Sequence, residues 1–374
     1  MTPFLIAIFF LNLSSLATAA KFTQVFEWNE LDLSWSSGAR RAQALEDGTF
    51  DPEYIKPHYM AVYGTRIFLS LDKYSTIPVT LVSLPTNNAS STSPKLTPVP
   101  SWDMHGRGDC NKIEEATGLE VDSVGRLWVL DQGSDDCNAK LWTIDLNKND
   151  QTKLIHRFSF QKLTHDLALD ETPDGTFAYI SRWYQEQIVV FNLERNQSWI
   201  VKTPDVKVFS LALSPKDQEP SQLYLSNHRS NELYSISVAT LRNRTRSAKP
   251  KLIGKWTERT KPFRMLMDNG NMYVAFRWEN YISAWNSSQP FQEQRFHKVV
   301  DLNPYFWPFT FSLDQSGTLW MTVFYYNEEP RCRLLKAAAG EKYLPDDASG
   351  AEAQSRMLIG SSVFFVFLLA MAIS

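Results

Sequence analysis

An all-β fold, a β-propeller of six blades closed by its N-terminal strand, is what the 374-residue sequence predicts. Three observations carry it: apolar residues alternate with period two, one strand–turn–strand unit recurs six times, and the units start 43 to 58 residues apart. Alternation of this kind places every second side chain on one face of a strand. Leu119 and Val121 in LEVD therefore share a buried face, as do Leu167 and Leu169 in LALD. The units begin at HYMAVYGTRIFLSLD (residue 58), ATGLEVDSVGRLWVLDQG (116), HDLALDETPDGTFAYISRW (165), VFSLALSPKDQEPSQLYLSN (208), FRMLMDNGNMYVAFRW (263) and FTFSLDQSGTLWMTVFYY (309). Their spacing suits four-stranded blades set radially and is too long for a leucine-rich or hexapeptide solenoid.

Asp122, Asp170, Asp268 and Asp314 recur beside turns. There a short carboxylate accepts backbone hydrogen bonds, and Gly125, Gly175, Gly270 or Gly317 relieves backbone strain, which makes this a structural series, not a catalytic one. Trp128, Trp142, Trp183, Trp256, Trp285 and Trp320 lie in or near strands and are expected to fill the wedges between blades. Open sheet edges invite pairing with other chains. Residues 21–35, KFTQVFEWNELDLSW, are placed to pair with the last unit and seal the circle.

The two ends point to a compartment. Residues 4–11 are apolar, Asn12, Ser14 and Ser15 interrupt the run, and small residues follow at 17–20. A membrane span needs about 20 apolar residues, so residues 1–20 are expected to be a cleaved signal peptide and residues 21–340 the propeller. Residues 341–356 read as a polar spacer and residues 357–374 as a hydrophobic tail. With small residues at 347–351, this arrangement resembles a glycosylphosphatidylinositol signal, with Asp347, Ala348 and Ser349 as the attachment sites. A short tail anchor is the alternative; it would be brief for a hydrocarbon core of about 30 Å and lacks basic residues after it. The expected location is extracellular, secreted or lipid-anchored to the outer leaflet.

Asn88, Asn196, Asn243 and Asn286 head Asn-x-Ser/Thr sequons and are expected on exposed, glycosylated loops. A net charge of −3 provides no field for nucleic acid. Of three cysteines, Cys110 and Cys137 flank a strand pair and are expected to bond in an oxidising lumen. Cys332 is left over, either free or joined to another chain. The cysteines and six histidines lack the close spacing of a zinc site, and no cofactor or metal is expected.

GLEVDSVGRLWVLDQG at residues 118–133 is similar to the GRLWVLD signature of the major royal jelly and Yellow family. FEWNELDLSW near the start, RIFLSLDKYSTIPVTLVSL from Arg66, FSLALSP from Phe209 and ELYSISVATLRN from Glu232 extend the resemblance, with gaps, over residues 26–326. Val124 and Ala284 stand where the family often reads cysteine, which implies that one of its disulfides is missing or rerouted here. Ser181 and Arg182 stand where relatives often read aspartate, so the channel near that blade is expected to differ.

A propeller's channel is lined by its innermost strands, and a small ligand binds at its mouth. The candidate ligand residues are thus at the starts of the inner strands: Thr117, His165, Asp166, Phe209, Phe263, Arg264, Phe309 and Thr310. Aromatic faces beside an acid and hydroxyls suit a small aromatic amine or a catechol, and the resemblance agrees, since some family members bind biogenic amines while others are linked to melanin formation or dopachrome conversion. Packing is the competing role for Phe209, Phe263 and Phe309, which occupy equivalent repeat positions. His165 and Asp166 equally suit bonds between strands, whereas Arg264 in an apolar strand must find a partner or the channel. With no nucleophile and base pair in view, binding is the leading expectation. The alternatives are a dopachrome tautomerase using His165 to move a proton, a lactonase with Glu120, Asn227 and Asp268 as calcium ligands, and a structural cell-surface or cuticle protein without a ligand.

Overall fold

Six sheets of four antiparallel strands follow one another along the chain, one for each alternating unit. The computed structural model describes residues 22–338 apart from 73–74, 88–92, 258–260, 277–278, 280, 299–305 and 326–328. The signal-peptide, spacer and tail expectations, including Asp347, Ala348 and Ser349, and the Asn88 sequon lie outside the described residues. Blade 1 consists of Pro57–Tyr63, Arg66–Leu71, Leu81–Pro85 and Thr97–Pro98, and blade 2 of Ala116–Val121, Arg126–Asp131, Lys140–Asp145 and Gln151–Arg157. Blade 3 is Thr164–Thr172, Gly175–Arg182, Gln187–Asn192 and Gln197–Lys202; blade 4 is Val208–Leu213, Gln222–Asn227, Glu232–Ser237 and Lys251–Lys255. Blade 5 is Pro262–Asp268, Asn271–Phe276, Tyr281–Asn286 and Gln294–Lys298, and blade 6 takes Phe306–Leu313, Thr318–Tyr325 and Cys332–Ala338 from the end of the propeller. The first strand of each blade is innermost, and every inner strand touches the next around a closed ring.

The fourth strand of blade 6 comes from the beginning of the chain. Thr23–Trp28 pairs antiparallel with Cys332–Ala338, placing Trp28 opposite Cys332, and Arg333 Nε meets Glu27 Oε2 at 2.6 Å. Closure by the N-terminal segment is therefore as the sequence indicates. It also decides the fate of Cys332, which is 1% exposed and unbonded. Burial pushes its thiol up to about 12, so a bridge to another chain is closed to the folded protein. Iodoacetamide is expected to leave Cys332 unmodified in the native protein and to label it once residues 21–28 are deleted. Equal labelling of both forms would show that this strand does not cover the thiol.

Local chemistry sets the hairpins. Asp122 Oδ1 accepts the backbone N–H of Arg126 at 2.8 Å and Oδ2 accepts Trp128 Nε1–H at 2.8 Å; Asp314 treats Thr318 and Trp320 in the same way, each at 2.9 Å. The carboxylate thus joins the turn to the tryptophan that fills the blade interface, and Gly125, at φ +82°, supplies the left-handed turn residue. Asp170 and Asp268 depart from the expected backbone bonding. Asp170 instead accepts from the Tyr179 hydroxyl and Arg242, and Asp268 accepts from the Asn269 amide. Trp128, Trp142, Trp256, Trp285 and Trp320 are buried in the wedges, while Trp183 is only partly buried and stacks on Tyr184 at the surface.

Cys110 and Cys137 form the expected disulfide. Beside it runs an ion network with no solvent access: Lys140 Nζ is 3.0 Å from Glu114 Oε2 and 3.3 Å from Asp131 Oδ2. Lys140 also donates to the Lys112 carbonyl at 2.9 Å, and Glu114 accepts the Gly108 N–H at 2.8 Å. The Asp of GRLWVLD is therefore a fold-holding group. Asn196, Asn243 and Asn286 are exposed, as sequon asparagines must be to carry glycans.

Candidate functional site

Every inner strand begins with a bulge. The register shifts between Pro57 and Tyr59, Ala116 and Leu119, Thr164 and Leu167, Val208 and Leu211, Pro262 and Arg264, and Pro308 and Thr310. Two residues there oppose one on the neighbouring strand, which bends the chain and redirects a side chain. The bulges define two equivalent tiers, His58, Thr117, His165, Phe209, Phe263 and Phe309, then Tyr59, Gly118, Asp166, Ser210, Arg264 and Thr310. Serines opposite three bulges accept the displaced backbone N–H groups: Tyr59 to Ser70 Oγ at 3.0 Å, Asp166 to Ser181 Oγ at 2.9 Å and Ser210 to Ser226 Oγ at 2.8 Å. Gly118 is required by close approach, since a Cβ there would lie 2.8 Å from Leu167 Cβ.

Side chains of the first tier meet across the axis, because rings from non-adjacent blades touch. His58 of blade 1 is 5.5 Å from His165 of blade 3, centroid to centroid, and 5.7 Å from Phe263 of blade 5. His165 is 5.7 Å from Phe263 and 3.7 Å from Phe209. The aromatic floor continues outward through His228, 5.1 Å from Phe209, to Tyr184, 4.3 Å from His228. Tyr184 is 45% exposed and sits at φ +68°, a strained position for a bulky residue.

The second tier plugs the axis. Arg264, 3% exposed, donates from Nη1 to Asp166 Oδ1 at 2.5 Å, and its guanidinium lies 4.8 Å from the Tyr59 ring. Fully buried Asp166 also accepts from Ser210 Oγ at 2.7 Å and from the Leu211 and Leu167 N–H groups, both at 2.9 Å. Arg264 Nη2 stands 3.6 Å from Glu120 Oε1. The Glu120 side chain keeps 34% of its surface open to a cavity, yet the surrounding protein drives its pKa up to about 7, against the pull of Arg264. That cavity, about 270 Å³, opens at the opposite end of the axis among Glu120, Asp122, Ser123, Glu171, Ser312 and Asp314.

Cations gather near the mouth, where Asp72 Oδ1 also stands 3.1 Å from His58 Nδ1. Burial, followed by His58, Lys261, Arg264 and His228, holds the His165 pKa well below its usual range. Burial and then Lys261, Arg229 and Lys207 bring His228 down to about 4. Lys261 Nζ lies 4.1 Å over the Phe209 ring and 2.9 Å from His228 Nδ1.

The predicted residues therefore divide. His165, Phe209 and Phe263 form the floor, and Asp166 and Arg264 the plug. Thr117 donates to the Leu130 carbonyl at 3.1 Å inside its own blade. Thr310 is buried in the second tier. Phe309 holds the sixth bulge position, and its side chain lies outside the described residues. Glu120, Asn227 and Asp268 do not converge: Glu120 faces Arg264, Asn227 accepts the Arg229 N–H at 3.2 Å, and Asp268 belongs to a turn. His58, Tyr59, Trp183, Tyr184, His228 and Lys261 were not anticipated. His58 and Tyr59 could have been found by aligning the degenerate first unit with the other five.

A family model described as major royal jelly protein matches residues 115–208 and 201–323. Protein yellow of Drosophila guanche is 25% identical over 352 residues, covering 81% of this chain and 61% of the relative. Protein yellow of Drosophila simulans is likewise 25% identical, over 81% of this chain and 64% of its own length. The match thus spans less than two thirds of these relatives. Among solved structures, a putative oxidoreductase (glucose dehydrogenase) from Thermus thermophilus aligns with TM-score 0.50 and 11% identity, over 85% of this chain and all of that one. A luciferin-regenerating enzyme aligns with TM-score 0.50 and 11% identity, over 87% and 98%; likeness at this identity concerns the fold alone. The family model covers more than half of the residues, and they fold into six closed blades with the GRLWVLD segment bonded into blade 2: the chain belongs to the major royal jelly and Yellow family.

Proposed function

We propose that this propeller is an extracellular binding protein that takes a small catechol-type aromatic ligand at the mouth of its channel. The observation that carries the reading is the chain of aromatic contacts running inward from exposed Tyr184 through His228 to buried Phe209 and His165 and to Phe263. Such faces stack on an aromatic ring with a gain of about 0.5–1.5 kcal/mol per pair. Within the two ligand classes drawn from the sequence, the cationic groups around the floor favour a catechol over a protonated amine. Asp166 is already held by Arg264 and three further donors, and Asp72, the other acid beside the floor, is paired with His58 Nδ1 at 3.1 Å. The Cys110–Cys137 bond and exposed Asn196, Asn243 and Asn286 support secretion with glycosylation, and the tail composition supports a lipid anchor.

Calorimetric titration with 4-methylcatechol and phenethylamine tests the proposal. The catechol is expected to bind more tightly, and Tyr184→Ala to weaken it by about five- to tenfold, the worth of one aromatic pair. A second reading, a ligand-free structural protein, is favoured by the Arg264 and Asp166 plug, and flat titrations with both probes would select it. Consumption of dopachrome that vanishes in His165→Ala would instead establish the tautomerase.

A further inference from the structure

One ring nitrogen of His165, Nε2, is buried and has no hydrogen-bond partner, in a side chain only 5% exposed. The other, Nδ1, meets the hydroxyl of Tyr59. That contact determines which nitrogen carries the proton. Burial, aided by the Asp166 charge, holds the Tyr59 phenol well above its ordinary range, so the hydroxyl keeps its hydrogen. Nδ1 is its partner among the described hydrogen bonds, and donating there leaves one group unpaired, the Nε2 N–H, whereas accepting from an Nδ1–H would strand both the phenol hydrogen and the Nε2 lone pair, so Nδ1 offers the lone pair. Since burial and neighbouring cations keep His165 neutral, the imidazole proton resides on Nε2. Tyr59 is itself fixed, by its backbone bond to Ser70 and by the guanidinium of Arg264 against its ring.

We propose that Tyr59 is a positioning residue that locks His165 in the Nε2–H tautomer, so that the channel floor selects an aromatic ligand bearing an oxygen acceptor, a quinone or other conjugated carbonyl. The inference rests on the aromatic-ligand reading above and names the group that site recognises. A buried N–H without an acceptor is unfavourable, so a ligand oxygen that satisfies it gains more than a bond exchanged with water. An ammonium, which only donates, gains nothing there. The Phe209 ring, 3.7 Å from the imidazole and 2% exposed, packs against it, so a ligand reaches the donor only by displacing that ring.

Two measurements on the intact chain test this. Nitrogen-15 spectra of the imidazoles, with His165→Gln assigning the signal among six histidines, should show unprotonated Nδ1 and protonated Nε2 in the wild type. In Tyr59→Phe, which retains the ring, the two nitrogens should move toward averaged positions. Binding is read with tropolone, a stable conjugated ketone, against phenethylamine. Tyr59→Phe is expected to weaken tropolone about tenfold, the worth of one hydrogen bond in a buried site, and to leave phenethylamine unchanged. His165→Gln, whose amide still donates, should retain most of the tropolone affinity. Protonated Nδ1 in the wild type, or equal weakening of both probes by Tyr59→Phe, overturns the proposal. If neither probe binds the wild type, the ligand reading fails and the selection fails with it, whereas the spectra still report the tautomer independently.

Discussion

Lys140→Met is expected to lower the free energy of unfolding by about 3–5 kcal/mol, the range for removing one partner from a buried ion network. Lys140, Glu114 and Asp131 have no side-chain exposure, and the ammonium lies between the two carboxylates at 3.0 and 3.3 Å. Without it, two acids confront each other in a medium that cannot solvate them. Methionine preserves most of the stem volume, so the loss reports charge instead of a cavity. Glu114 also holds the Gly108 N–H, so the segment carrying Cys110 loosens with it. Urea titration provides the measurement, and adding Glu114→Gln should restore part of the loss. A change below about 1 kcal/mol would mean that water or another donor reaches the carboxylates.

The second large effect is expected at the axis. Arg264→Met leaves Asp166 buried without its counter-charge and should cost about 3 kcal/mol, toward the low end for a broken buried pair because three other donors remain on the carboxylate. The loss should also grow with pH. Burial raises the Glu120 pKa to about 7 from an ordinary 4.5, while Arg264 works in the opposite direction. A carboxyl whose folded pKa is raised binds its proton more tightly in the native state, so stability falls as pH climbs from the unfolded to the folded value. Taking Arg264 away lifts the folded value further. Arg264→Met is therefore expected to lose more stability at about pH 8 than at about pH 5, as read by denaturant titration at both. A pH-independent loss would mean that Glu120 does not sense the guanidinium.

Much of the frame was legible because propeller blades repeat. Alternation in LEVD, LALD and FSLD marks inner strands wherever it occurs, and the closing strand follows from the need to cover an edge. The site was only half legible. His165, Phe209, Phe263 and Arg264 could be picked out because the inner strands start at the same place in each unit, but His58 and Tyr59 sit in the most degenerate copy. Trp183 and Tyr184 follow a strand as packing residues often do, and only the chain geometry turns them toward the mouth. Lys140 opens a strand, where a lysine is usually solvated; its burial depends on Glu114 and Asp131 arriving from different segments. A long-range pairing of that kind leaves no local pattern.

The six bulges separate the collar around the axis from the pairing that folds the blades. Residues at the first tier stand outside the regular cross-strand ladder, so His58, Thr117 or Phe209 can be exchanged without shifting the register of any sheet. The collar around the axis is in effect a set of six interchangeable fittings on a fixed mount, open to exchange while every blade remains as it was.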